Sequence, residues 1–226
     1  MKKGKFIVID GTDGSGKGTQ TELLVEYLKG IGTEVEIADF PRYGNPSAGF
    51  VEKYLQGGYG TLEDVSAKKA SILYALDRFD ASADLQKHLD EGKWVVSNRY
   101  VSANMGHQTG KIKGPKERDE FLEWLDELEY GIFGIPRPDV QILLYVPPEI
   151  GQAMVDEKAK EEYRKGKKRD IHEDSLQHLQ DAAEAYQYVA KKFNWLTIDC
   201  APENKLLSRE AILKMIVDAL SDTDHL

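Results

Sequence analysis

Short runs of consecutive apolar residues alternate along this chain with longer stretches of helical periodicity. Residues 6–9, Phe-Ile-Val-Ile, are four apolar positions in a row, the pattern of a strand buried on both faces. Comparable runs at 34–40, 94–97, 140–146 and 195–198 predict four more strands. Between them the spacing predicts helices over about 16–29, 47–56, 115–130, 176–193 and 208–220, and one opening at Pro147-Pro148. A further long helix is expected from a cap at Thr61, with Asp64 at its third position, to Gly92. On its wheel Val65, Ile72, Leu76 and Phe79 fall within about 60°, which makes that stripe the expected core face. Tyr74 and Arg78, four apart, then share the opposite, non-core face. Residues 101–115 read as loop and partial helix. Strands alternating with helices predict an α/β fold: a five-stranded parallel sheet with right-handed crossovers and helices on both faces.

Composition narrows the class. A chain of 226 residues, 41% hydrophobic and 31% charged, is long enough for one good core. No repeat, low-complexity tract or linker divides it, so a single domain over 1–226 is expected. The net charge of −9 argues against nucleic acid or anionic membrane as a partner. Cys200 stands alone, which excludes an internal disulfide and fits a reducing compartment. No apolar run approaches a membrane span, and Met1-Lys-Lys leads into a strand rather than a signal segment. The expectation is a soluble, cytoplasmic protein.

Against that acidic background, local positive charge points to an anionic ligand. After the first strand comes Gly11-x-x-x-x-Gly16-Lys17, and a helix follows at once. Gly11, Gly14 and Gly16 let backbone N–H groups turn inward as a cradle for phosphate oxygens. The helix N-terminus and Lys17 add charge at the same point. Ligands in such sheets bind beyond the carboxyl ends of the strands. That rule brings Asp13, Lys17, Arg42 and Arg99 from three strand ends toward one cleft. Cations so gathered repel one another unless an anion or carboxylates stand between them; a pair of bound phosphates accounts for the clustering best. Residues 158–169 carry seven Lys or Arg against two Glu, opposite in sign to the rest of the chain. They read either as a solvated charge run or as a flap closing over polyphosphate. Tyr74 and Arg78 read either as exposed residues or as a stacking platform and hydrogen-bond fork for a planar base. The five histidines show no metal-ligand spacing.

The stretches 6–17, Asp39-Phe-Pro-Arg-Tyr43, Tyr74-Ala-Leu-Asp-Arg78, Asn98-Arg-Tyr100 through Gln108, and Pro138-Asp139 resemble the thymidylate kinases, in order and across essentially the whole chain. The resemblance implies a P-loop kinase transferring the γ-phosphoryl of ATP to dTMP with Mg²⁺. It implies that Gly11, Thr12, Asp13, Gly14, Ser15, Gly16, Lys17, Gly18 and Thr19, with Arg164, hold ATP. Catalytic roles would fall to Lys17, Arg42, Arg99, Asp13 and Arg169. The acceptor would meet Asp13, Phe40, Arg42, Tyr43, Tyr74, Arg78, Arg99, Asn104 and Gln108. The basic segment would be a lid over about 156–171, followed by the acidic Asp170 and Glu173, and a homodimer formed through helices is implied. Two positions depart from the family's pattern. Gly18 stands where a Ser or Thr hydroxyl is expected to touch the metal, as in adenylate kinases, leaving Asp13 or Thr19, directly or through water. Asn98 stands where the family usually has Asp. Rival readings are another nucleoside monophosphate kinase, a deoxynucleoside kinase, and a nucleotide-binding regulator without catalysis.

Overall fold

The computed structural model describes residues 3–62, 64–164, 176–223 and 225–226, with the side chains of 158–164 and 176 left aside. Five parallel strands, β1 (Phe6–Asp10), β2 (Val35–Asp39), β3 (Trp94–Asn98), β4 (Val140–Tyr145) and β5 (Leu196–Asp199), lie in the order β2-β3-β1-β4-β5. The glycine-loop strand is thus central, flanked by β3 and β4. Its side chains alternate between two cores, as the pleat requires. Ile7 and Ile9 face the side covered by α1 (Lys17–Gly30) and α8 (Arg209–Asp222). Phe6 and Val8 face the side built by α3 (Ala67–Asp90), α4 (Val101–Thr109), α5 (Pro115–Asp126) and α7 (Leu176–Phe193). The short helix α2 (Gly49–Leu55) packs on α3 through Val51, Tyr54 and Leu55, and α6 (Pro148–Arg164) follows β4.

Two expectations about the long helix need correction. The long helix starts at Ala67 and is capped by Ser66, whose hydroxyl accepts from the Lys69 N–H; Thr61 instead turns on itself, donating N–H and O–H to Asp64. Its core face is also the other one. Ala70, Ser71, Ala75, Arg78, Ala81 and Leu85 are buried, whereas Ile72, Leu76 and Phe79 are exposed. The apolar stripe on the wheel was real, but small residues let α3 approach the sheet with the opposite side. Elsewhere 101–115 is part helix (101–109) and part loop, as expected, and α5 ends in a π-helical turn (Glu127–Ile132) before the Pro136–Pro138 connector. The start of α8 at Ser208 follows the sequence pattern, and on α7 Leu179, Ala183, Tyr186 and Ala190 form a buried row at helical spacing while Phe193 at its end is exposed.

Candidate active site

The carboxyl ends of β1, β3 and β2 form one edge, because Ile9 pairs with Asn98 and Asn98 with Asp39. From β1 the chain enters the glycine loop. At Gly14 a Cβ would lie 2.2 Å from the Gly151 carbonyl oxygen, so only glycine lets the loop lie against α6. Gly16, at the N-cap of α1, has φ 81°, in the left-handed region glycine adopts freely.

Asp13 is the hinge of the charge arrangement. Lys17 Nζ lies 3.3 Å from Asp13 Oδ1 and donates to the Thr12 carbonyl at 3.1 Å. Arg99 Nη2 donates to that same Asp13 oxygen. Arg99 has φ 64°, unusual without a glycine, and is held there by its N–H on Ile9 O at 2.9 Å and by Ser97 Oγ, which donates to its carbonyl at 2.6 Å. Burial by itself would raise the Asp13 carboxyl, yet Arg99 and Lys17 hold it well below the usual range. For Lys17, burial first and the Arg99 charge second bring the ammonium down to about 8. Arg99 is pushed the other way: burial opposes its charge, but Asp13 more than compensates.

Behind this cluster Asp10 is fully buried and fully used. It accepts from Tyr186 Oη at 2.8 Å, Ser102 Oγ at 2.7 Å and the Gly11 N–H at 2.8 Å, joining β1 to α4 and α7. Burial, with Asp10 next to it, keeps the Tyr186 phenol protonated well above its ordinary range.

Arg42 follows the cis Phe40–Pro41 bond, and its Nε and Nη2 are bonded to α3 and to Ser47. Nε lies 3.0 Å from Asp77 Oδ1, and Nη2 donates to Ser47 Oγ at 2.8 Å, the Asp77 carbonyl at 3.0 Å and Asp80 Oδ2 at 2.5 Å. The counter-charges for the gathered cations are therefore carboxylates: Asp13 for Lys17 and Arg99, Asp77 and Asp80 for Arg42. Phe40 is buried against Tyr100, with ring centroids 5.5 Å apart. Tyr43 is exposed, within electrostatic reach of Arg99.

The helix α3 brings Tyr74 and Arg78 to the same flank, but not on an exposed face. Tyr74 is half-buried and edge-on to Tyr54 at 6.3 Å. Arg78 is 1% exposed; its Nε donates to both Glu129 oxygens at 3.1 Å, and Nη1 to the Tyr100 carbonyl at 3.3 Å. Arg78 still has N–H donors beyond these. Asn104 is buried and donates to the Ser71 carbonyl at 3.1 Å, and Gln108 is buried with its Oε1 unbonded. Ser15 Oγ in the loop is likewise buried without a partner. A buried, unbonded oxygen within a phosphate loop is what a site presents when its ligand completes the bonding. Sequence reasoning missed Asp77, Glu129, Ser102 and Tyr186; Asp77, inside Tyr74-Ala-Leu-Asp-Arg78, and Ser102, inside the stretch from Asn98 to Gln108, carried a local signal.

For a metal, Gly18 is half-buried and Thr19 exposed. Among the described residues no group of three His, Cys, Asp or Glu is arranged to hold an ion. Arg169, Asp170 and Glu173 of the basic segment, and the Arg164 side chain, lie outside the described residues. Among the described residues no helix is long and apolar enough to cross a membrane.

Known proteins resemble this chain in sequence and in fold. The family profile described as Thymidylate kinase matches residues 9–211. A thymidylate kinase of Plasmodium falciparum is 30% identical over 198 residues, 88% of this chain and 83% of its own. One from Prochlorococcus marinus is 29% identical over 219 residues, 95% of this chain and 93% of its own. Among solved structures, a thymidylate kinase from Candida albicans superposes with a TM-score of 0.72 over 99% of this chain and 93% of its own, at 19% identity, a likeness of fold.

Proposed function

The chain belongs to the thymidylate kinase family, and from that premise we propose that it transfers the γ-phosphoryl group of ATP to the phosphate of dTMP, giving dTDP and ADP. The observation that carries this reading is the shared carboxylate: Lys17 and Arg99, from the loop of β1 and the end of β3, both close on Asp13 Oδ1. Two cations held against one exchangeable anion are ready for phosphate oxygens.

The acceptor is already an anion, so little proton transfer is needed. The work is positioning and charge neutralisation. In this reading the glycine loop and Lys17 take the ATP phosphates, and Arg99 takes the acceptor phosphate. Arg42 joins it from the Asp77–Asp80 pair, which fixes its guanidinium beforehand. Asp13, released by its two cations, turns to the acceptor sugar or to metal-bound water. Tyr74 stacks on the base, Asn104, Gln108 and the spare donors of Arg78 meet its edge, and Tyr43 borders the sugar. Bound Mg²⁺ would offset charge on the phosphates, with Asp13 or Thr19 holding it directly or through water. The basic segment over about 156–171 would close as a lid, with Arg164 and Arg169 on phosphate. A second copy of the chain would cover the exposed stripe of Ile72, Leu76 and Phe79.

The test is ADP release over dTMP, dUMP, dCMP, dGMP and AMP, with and without Mg²⁺. Preference for dTMP, dependent on Mg²⁺, is expected. A preference for AMP or dGMP would overturn the acceptor assignment.

A further inference from the structure

Asp39 and Asn98 end neighbouring strands in register, and both face the loop edge of the sheet. Asn98 Nδ2 donates to Asp39 Oδ1 at 2.9 Å. With its NH₂ committed to a carboxylate, the amide has a settled orientation, and its other end is an acceptor. That Oδ1 is buried and has no hydrogen-bond partner. A buried orphan oxygen costs free energy unless something outside the chain donates to it. Gly18 opens the space beside this amide: a Cβ there would meet only Asn98 Nδ2, at 3.9 Å. The Asp39 carboxylate is solvent-accessible, and the charges of Arg99 and Lys17 both reach it. So at the end of β3 this chain has an amide, and the negative charge sits one strand over, bonded to that amide.

We propose that Asp39 and Asn98 act as one unit that holds the hydrated divalent cation entering with the nucleotide: water on the cation donates to Asn98 Oδ1 and to Asp39, and Asp39 supplies the charge that Asn98 lacks. Gly18 leaves room for that water where a hydroxyl would otherwise stand. The inference rests on the nucleotide-binding reading given above. It differs from a plain cross-strand tie, which would alter stability and leave metal affinity alone.

The experiment uses the intact protein with ADP, and Mn²⁺ as the probe cation. Calorimetry in EDTA gives ADP affinity without metal; the paramagnetic resonance signal of free Mn²⁺ gives its affinity for the protein–ADP complex. Asp39→Asn, which keeps shape and removes charge, is expected to weaken Mn²⁺ binding about tenfold or more, in the manner of outer-sphere metal partners. Its ADP affinity in EDTA stays unchanged or tightens. The swap Asp39→Asn/Asn98→Asp, which returns the carboxylate to β3, restores Mn²⁺ affinity to about that of the parent. A loss below about threefold in Asp39→Asn, an equal loss in EDTA, or a swap that restores nothing would each overturn the proposal. Absence of ADP binding by the parent protein would instead overturn the nucleotide reading beneath it.

Discussion

Glu129 grips the guanidinium of Arg78 inside the protein, with side-chain exposures of 0% and 2% and Nε 3.1 Å from both carboxylate oxygens. Nη2 closes on the same carboxylate. The carboxylate comes from the π-helical turn after α5, so this pair clamps that turn to α3. Removing one partner strands a charge in a dry environment. Glu129→Ala is expected to lower unfolding free energy by about 3–5 kcal/mol. Replacing both partners, as in Arg78→Met/Glu129→Leu, should cost less than the single change, because no ion is left unpaired. Urea unfolding of the three proteins measures this, and an equal or larger loss in the double variant would contradict it.

Arg99 is held in its left-handed conformation by its N–H on the Ile9 carbonyl and by the Ser97 hydroxyl on its own carbonyl, and is aimed at Asp13. That geometry is prepared before a phosphate arrives. Arg99→Ala should therefore reduce kcat/KM for dTMP by a factor corresponding to about 3 kcal/mol, the scale of losing one preorganised electrostatic contact. Steady-state turnover decides it, and unaltered turnover would remove Arg99 from the acceptor site.

The Lys17 ammonium, brought down to about 8 from its ordinary 10.5 by burial and then by Arg99, gives the site a pH signature. In the empty protein Lys17 loses its proton as pH rises through about 8. The unfolded chain keeps that proton up to about 10.5, so the group disfavours folding below pH 8 and this penalty fades between the two values. Bound phosphates favour the charged form. Binding of ATP at pH 9 should accordingly take up a proton at Lys17, and at pH 6.5 it should take up none there. Calorimetry in buffers of different ionisation enthalpy reads the uptake, and Lys17→Met should abolish it.

Phe79 is 50% exposed and stacks on Phe133 at 5.0 Å, with Leu76 and Ile72 along the same stripe. Burial against a second copy would recover about 25 cal/mol per Å² of apolar surface. Phe79→Glu is expected to shift the protein from dimer to monomer in light scattering coupled to size exclusion. A parent protein that already runs as a monomer would refute the assembly.

What the sequence by itself determined is local. Runs rich in apolar residues marked the strands, a glycine loop between strand and helix marked a candidate anion site, and Ser208 and the spacing of α7 marked helix starts and faces. Each signal is complete within a few residues, because backbone geometry and burial on one element set it. Only the tertiary structure decided which side of α3 faces inward. That helix has apolar residues on both sides, and the choice turned on Ala70, Ala75 and Ala81 allowing close approach and on Glu129, 51 residues away, neutralising Arg78. The same holds for Asp10, whose partners Ser102 and Tyr186 lie 92 and 176 residues along the chain, and for Asp39 and Asn98, 59 apart. The choice of partner for a buried charge is made by packing, and packing has no period in the sequence for a reader to find.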